Sequence, residues 1–145
     1  MSVKTSYVIL RQIFENIIVN SINYSYNNST ININLKTTKE GVLFSCRDSG
    51  IGIPADDQKH IFSYFFRAAN AAKIKSGTGL GLYIAKILTD IIDGKIWFDA
   101  ATPKNTTFFV SIPIPKPPVA KSDPFQPGAN DHDYQKYGLN GFSEV

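Results

Sequence analysis

Apolar residues recur at helical spacing in two parts of the chain. In residues 8–23 they fall three and four positions apart, at Leu10, Ile13, Phe14, Ile17 and Ile18. This period is typical of a helix with one buried face. Residues 82–92 carry the same spacing, and a shorter helix is predicted over residues 55–66.

Apolar and polar residues alternate in four other segments, which predicts two hairpins. The first joins strands over residues 30–37 and 42–48, and the second joins strands over residues 95–100 and 107–112. We expect both strands of the first hairpin to be half-buried, with Ile31, Ile33, Leu35, Val42, Phe44 and Cys46 facing inward. The pattern predicts an α/β (α+β) two-layer sandwich, with helices on one face of a mostly antiparallel mixed sheet.

The composition changes near residue 113. Six of the eight prolines lie between Pro113 and Pro127, and the segment that follows has neither a helical nor a strand period. Segments of this kind stay extended or disordered. The sequence therefore predicts one domain over residues 1–115 and a Pro-rich, disordered tail over residues 116–145.

The composition also excludes several classes of protein. The chain of 145 residues is 43% hydrophobic, which is enough for a core, yet no apolar run reaches the length of a membrane helix. Its start does not resemble a signal peptide. A single cysteine and two histidines argue against a disulfide framework and a zinc site. The net charge of +3 comes from scattered residues, which argues against a nucleic-acid partner. We expect a cytoplasmic protein.

Amide side chains form a stripe on the first predicted helix. Gln12, Asn16 and Asn20 are four residues apart, along the edge of the apolar face. Asparagine is unfavourable inside a helix, so these amides need partners. They can bond to a neighbouring loop, or their oxygens can face a water or a hard cation such as Mg²⁺.

A carboxylate follows the inward-facing residues of the second strand. Asp48 continues the parity of Phe44 and Cys46, and a buried carboxylate is costly unless it accepts hydrogen bonds. Gly50 and Gly52 come next and allow close approach of the backbone. This pattern fits a flat ligand with an amino group, such as adenine; the alternative is an aspartate that stabilises its own turn.

A second glycine-rich loop, SGTGLGL, runs into the last predicted helix. Exposed N–H groups at a helix start favour phosphate binding. The spacing fits neither a Walker loop nor the dinucleotide fingerprint. Taken alone, the loop is better explained as a flexible connection.

Taken in order, these motifs resemble the ATP-binding catalytic domain of sensor histidine kinases, within the superfamily of gyrase, a heat-shock chaperone and mismatch-repair ATPases. LRQIFENIIVNSINYS is similar to the family's N box, and DSGIGI is similar to its G1 box. Residues 60–67 resemble the F box, and residues 77–82 the G2 box. The resemblance implies a Bergerat-type ATP-binding fold with ATP and Mg²⁺ as cofactors.

The resemblance also assigns roles to individual residues. Asn20 would be the Mg²⁺ ligand, and Asn16 the catalytic residue near the reactive water or γ-phosphate. Residues 70–76 would form a mobile lid, here called the lid segment, with Lys73 and Lys75 near the triphosphate. Asn23 stands where the family often has a cation. The other residues expected to bind the nucleotide are Tyr24, Asp48, Gly50, Gly52, Ile53, Arg67, Gly77, Thr78, Gly79, Leu80, Gly81 and Leu82.

The implied activity is transfer of the γ-phosphate of ATP to a histidine. Neither His60 nor His132 resembles the acceptor, so we expect a phosphoacceptor helix pair in another segment or chain, and a response regulator downstream. Two alternatives stay open at this point. One is a serine kinase of the anti-sigma-factor type, and the other is a non-catalytic ATP-binding sensor module.

Overall fold

The computed structural model describes residues 6–102 and 104–114, without the side chains of residues 101 and 102. The tail predicted over residues 116–145 lies outside the described residues, so the domain boundary stays a prediction. Helix α1 spans Tyr7–Tyr24, as the apolar stripe predicts, and ends where Ser25 becomes extended. Its buried face contains Ile13, Ile17 and Ser21.

Four strands form one sheet. Strand β1 spans Asn32–Thr37 and β2 Gly41–Asp48, while β3 spans Lys95–Thr102 and β4 Asn105–Pro113. The order across the sheet is β1-β2-β4-β3, and each of the three pairings is antiparallel. Both predicted hairpins are confirmed, and the central β2–β4 pairing joins them.

The remaining helices are α2 at Ala55–Gln58, α3 at Ala69–Ile74 and α4 at Gly81–Ile91. The last of these is confirmed. The predicted helix over residues 55–66 is wrong beyond Gln58, because turns follow and Phe65 has a left-handed φ of 55°. Helix α3 falls on the lid segment, for which the sequence analysis predicted a mobile lid and no helix.

The core lies between one face of the sheet and the helices. Helices α1 and α4 pack against each other, with α1 on β2 and α4 on β3. Burial alternates along all of β4, so that Thr106, Phe108, Val110 and Ile112 face the helices. The Phe44 ring of β2 stacks on Phe14 of α1 with ring centroids 4.3 Å apart. The predicted two-layer arrangement, with helices on one face, is therefore confirmed.

Strand β1 differs from the expectation. Ile33 and Leu35 pair with the buried residues Cys46 and Phe44, so they point toward the helix side of the sheet. They are nevertheless 52% and 61% exposed. The prediction that this strand is half-buried is wrong, because β1 lies at the sheet edge and none of the described helices extends over it.

The helices in the described part of the chain are too short or too polar to cross a membrane.

Candidate functional site

A cavity of about 460 Å³ opens between α1, the loop after β2 and the segment that leads into α4. Its walls come from three motifs that are far apart in sequence and that the sheet brings together. The lining includes Asn16, Asn20, Asn23, Tyr24, Asp48, Gly52, Ile53, Ile61, Arg67, Asn70, the whole of residues 76–82, Thr106 and Phe108.

Asp48 lies at the buried end of the cavity and is only 4% exposed. Its Oδ1 accepts a hydrogen bond from the N–H of Gly50 at 3.1 Å. The Thr106 backbone and the Ser21 hydroxyl also donate to it. Burial raises the pKa of Asp48, and these hydrogen bonds oppose the rise. Asp48 is thus a preorganised acceptor at the bottom of the cavity, where an amino group of a ligand can reach it.

Gly50 allows the close approach of backbone that was expected of it, but the backbone it approaches is the end of α1, and its binding to the nucleotide stays a prediction. A Cβ at this position would lie 2.2 Å from the carbonyl oxygen of Tyr24, and Gly50 is not among the lining residues. The loop is held on the end of α1 by hydrogen bonds from Ile51 N to Tyr24 O and from Tyr26 N to Ser49 O, each 3.1 Å long. Gly50 therefore lets the loop pack on the helix, while Gly52 faces the cavity.

Apolar side chains form the walls around Asp48. Ile53 was expected there, whereas Ile61 and Phe108 were missed by the sequence analysis. Thr106 was missed as well, although its inward parity on β4 was visible in the sequence. A flat apolar ring fits between such walls, with its polar edge directed at Asp48.

The amides of α1 line one side of the cavity. The Nδ2 atom of Asn16 is buried and has no hydrogen-bond partner in the described structure. Asn20 lies one turn further along and also lines the cavity, whereas Gln12 is exposed and does not. Glu15 faces solvent and pairs with Arg11 at 2.7 Å. A buried amide without a partner is costly, so Asn16 is poised for a ligand or a water.

The second glycine loop brings the start of α4 to the same side. Gly79 has a left-handed φ of 72°, and a Cβ there would lie 2.7 Å from the carbonyl oxygen of Phe66. Gly81 begins α4, and a Cβ on it would meet Asn16 Oδ1 at 3.5 Å. The first N–H groups of a helix have no partner within that helix. The amides of α1 and the start of α4 therefore form a polar end of the cavity, suited to an anion.

Helix α3 is anchored on both sides. Asp57 accepts from Ala69 N at 2.8 Å, and Asn70 Nδ2 donates to Gly52 O at 3.1 Å. Arg67 donates to the carbonyls of Ala71 and Lys75. In this arrangement Arg67 holds the end of α3, and its expected contact with phosphate stays a prediction.

The structure brings together thirteen of the fifteen predicted site residues, all except Gly50 and Lys73. Lys73 is exposed on α3. Lys75 was expected near the triphosphate but is not counted among the fifteen. Its Nζ donates to Asn23 Oδ1 at 2.5 Å.

A metal ion could be held here only with help from a ligand. No cluster of three or more His, Cys, Asp or Glu side chains suited to a metal occurs in residues 6–102 and 104–114. The side-chain oxygen of Asn20 is nevertheless a suitable donor for Mg²⁺, which takes few protein ligands when phosphates and waters supply the rest. The residues present therefore fit Mg²⁺ bound together with a phosphorylated ligand.

Residues 5–116 match the model of the histidine kinase-, DNA gyrase B- and HSP90-like ATPases. The chain belongs to this ATPase family, which confirms the resemblance drawn from the motifs and the expected binding of ATP.

Its relatives within the family are sensor histidine kinases. The chain is 33% identical over 114 residues to sensor histidine kinase RppB of Synechocystis, covering 78% of this chain and 25% of RppB. It is 37% identical over 107 residues to WalK of Bacillus subtilis, covering 72% of this chain and 18% of WalK. The chain thus spans about a quarter or less of these curated relatives.

Solved structures of histidine kinases superpose on this chain. The mycobacterial sensor histidine kinase MprB superposes with a TM-score of 0.69 at 28% identity, over 77% of this chain and 76% of that one. The catalytic domain of histidine kinase ThkA gives a TM-score of 0.66 at 30% identity, over 77% and 71% of the two chains.

Proposed function

We propose that this chain is the catalytic domain of a two-component sensor histidine kinase. In this proposal it binds ATP with Mg²⁺ and transfers the γ-phosphate to a histidine on a phosphoacceptor helix pair in another segment or chain. A response regulator takes the phosphate next, in the cytoplasm. The observation that carries the proposal is one cavity with a buried carboxylate between apolar walls at one end and the start of α4 at the other.

The two ends of the cavity fit the two ends of ATP. Adenine lies between Ile53, Ile61 and Phe108, and its amino group donates to Asp48. The triphosphate extends toward the glycine loop, where the N–H groups at the start of α4 receive it. Asn20 supplies an oxygen to Mg²⁺, which neutralises phosphate charge when it is bound.

Transfer needs an acceptor held in line with the γ-phosphorus. A bond forms from an imidazole nitrogen to that phosphorus as the bond to the bridging oxygen breaks, and ADP leaves. Asn16 can orient a group by hydrogen bonding, but its neutral amide is a poor proton acceptor. The site is therefore better suited to transfer onto a supplied imidazole, itself a nucleophile, than to hydrolysis through an activated water.

The experiment is incubation of the chain with γ-labelled ATP, Mg²⁺ and a separate helix-pair protein that contains an acceptor histidine. The helix pair is taken from a sensor histidine kinase such as WalK, and its His→Gln variant serves as the control. Phosphate on histidine is stable to alkali and labile to acid. We expect label of this type on the helix pair and none on the control.

Two other results would contradict the proposal. Acid-stable label on serine would favour the serine-kinase alternative. ATP binding without transfer to any of several helix pairs would favour the non-catalytic sensor.

The chain alone should not label itself. His60 is exposed, its ring lies 5.5 Å from that of Phe66, and it does not line the cavity. His132 lies outside the described residues. Acid-labile label on either histidine would show that the chain is a self-sufficient kinase.

A further inference from the structure

Strand β3 is an edge of the sheet. In the order β1-β2-β4-β3 it pairs with β4 on one side, and none of the described strands lies on its other side. The outward-pointing backbone groups of an edge strand have no partner in the sheet, so an edge can pair with another chain. This edge is separate from the proposed nucleotide site, because none of the described residues that line the cavity belongs to β3.

The side chains of β3 alternate between the two faces of the sheet. Ile96 is buried on the helix side, whereas Lys95, Trp97 and Asp99 are exposed on the opposite face. Trp97 is 40% exposed, and its ring stacks on that of Phe109 of β4 with centroids 5.3 Å apart. The exposed face of β3 therefore presents a cation, an aromatic ring and a carboxylate in sequence, two residues apart.

This order is self-complementary when two copies of β3 pair antiparallel. In the register centred on Trp97, each Lys95 lies opposite Asp99 of the other copy, and the two Trp97 side chains lie opposite each other. Opposite charges and aromatic pairs at directly opposed positions stabilise a sheet. The same register sets Ile96 against Phe98 on the helix side. A slip by two residues in either direction separates the opposite charges, and a slip by one residue puts the two sets of side chains on different faces.

The surroundings of the edge are compatible with this pairing. Asp99 already interacts within its own chain, but a carboxylate has about four acceptor sites and can take the Lys95 ammonium group as well. Lys86 and Asp90 of α4 line a recess beside β3 and pair with each other at 2.5 Å. They therefore bring no net charge to the edge that would repel a second copy.

The other edge strand, β1, lacks this order. Its side chains on the face opposite the helices are those of Asn32, Asn34 and Lys36. The strand contains no carboxylate, so antiparallel pairing of two copies of β1 gives no ion pair in any register. Charge complementarity therefore favours β3 as the edge that meets a second copy.

We propose that β3 is a self-association edge, at which two copies of this chain pair antiparallel around Trp97. The two sheets then join into one continuous sheet, with the helices of both copies on the same side. The contact involves only a short stretch of each strand, so the dimer is weak and forms as the protein concentration rises. Because β3 lies outside the cavity, this inference does not depend on the proposed binding of ATP.

The first test measures self-association of the full chain by sedimentation equilibrium, at concentrations from about 10 µM to about 1 mM. We expect the average mass to rise from the 16.1 kDa of the monomer toward twice that value. Trp97 is the single tryptophan of the chain, so its fluorescence reports this edge directly. The emission should shift to shorter wavelength over the same concentrations, because the ring becomes buried. A monomer mass throughout would overturn the proposal.

The second test reverses the charges. Lys95→Glu leaves two acidic positions on the edge, and Asp99→Lys leaves two basic ones. Like charges directly opposite each other destabilise a pair of strands, so each variant alone should dimerise at least tenfold more weakly than the parent. Mixed together, the two variants should form a heterodimer, because every acidic position then faces a basic one. The double variant Lys95→Glu with Asp99→Lys should recover the homodimer.

Lys36→Glu is the matched control. It makes the same change of charge on the other edge strand and should leave dimerisation unchanged, while thermal melting of each variant checks its folding. If Asp99→Lys does not fold, Trp97→Lys replaces it, because it sets two ammonium groups against each other. A dimer that survives Lys95→Glu, or that Lys36→Glu weakens equally, would overturn the assignment to β3. ATP affinity should be the same in Lys95→Glu as in the parent, so a failure of the dimer and a failure of ATP binding can be told apart.

Discussion

Replacing Asp48 by Asn should separate ligand binding from folding. Asp48 is almost fully buried, and the proposed adenine amino group has no other acidic acceptor among the described lining residues. Hydrogen bonds to charged groups contribute about 1.5–3 kcal/mol, and an unpaired buried donor costs a similar amount. A loss of about 2 kcal/mol corresponds to a factor of about 30 in affinity. We therefore expect ATP binding, measured by calorimetry, to weaken about thirtyfold.

The fold should survive this change. Because burial raises the pKa of Asp48, the folded state binds its proton more tightly than the unfolded state does. Protonated Asp48 stabilises the folded state at pH values below its ordinary pKa of 3.8. This contribution to stability is lost as the pH rises through the raised pKa of the folded state. At pH 7 the ionised carboxylate is therefore a cost, which Asp48→Asn removes.

Urea denaturation from pH 3 to pH 8 tests whether Asp48→Asn still folds and whether the ionised carboxylate destabilises the parent at neutral pH. The stability of Asp48→Asn relative to the parent should be highest at neutral pH and should fall as the pH approaches 3.8. Asp93→Asn is the matched control, because Asp93 is exposed and its φ of 54° is one that asparagine tolerates. Parent-like ATP binding by Asp48→Asn would refute the adenine assignment.

Further predictions concern the metal, the glycine loop, hydrolysis and the tail. Asn20→Ala should reduce ATP affinity more with Mg²⁺ than without it; equal losses would mean that Asn20 is only structural. Gly79→Ala should destabilise the fold by about 1–3 kcal/mol, through its left-handed φ and the close Phe66 carbonyl, as measured by urea denaturation. Asn16→Asp should not abolish the fold but should raise the slow hydrolysis of ATP, measured as phosphate release, because a carboxylate accepts a proton better than an amide. Removing residues 116–145 should leave the melting temperature nearly unchanged, and a large decrease would contradict the predicted tail.

The strongly periodic elements were predictable from sequence. Helices α1 and α4 and both hairpins have patterns that only one backbone period satisfies. The inward parity of Asp48 followed from the same alternation. Ile33 and Leu35 show the limit of that argument: alternation defines a face of a strand, but it does not say whether another element covers that face.

The segment between the two glycine loops was harder to predict. Phe65 adopts a left-handed conformation that bulky residues rarely occupy, so nothing local indicated where the predicted helix would stop. Helix α3 contains three alanines and could have been recognised from them. The contact of Lys75 with Asn23 could not, because it depends on how α3 is anchored against α1.

Because of the strand order, strand pairing and helix packing hold the two halves of the chain together, in addition to the peptide bonds that join them. Strand β2 pairs with β4 from Gly41–Pro113 to Asp48–Thr106, and α1 packs on α4, so the halves of the molecule before and after the glycine loops hold each other directly. The exposed residues 75–78 connect these halves without regular structure. A single proteolytic cut after Lys75 should therefore yield two fragments, each with two strands and one long helix, that remain associated. Co-expressed as separate chains, they should complement each other and reassemble the cavity, so that this domain could serve as a split protein whose two parts each carry one side of the site.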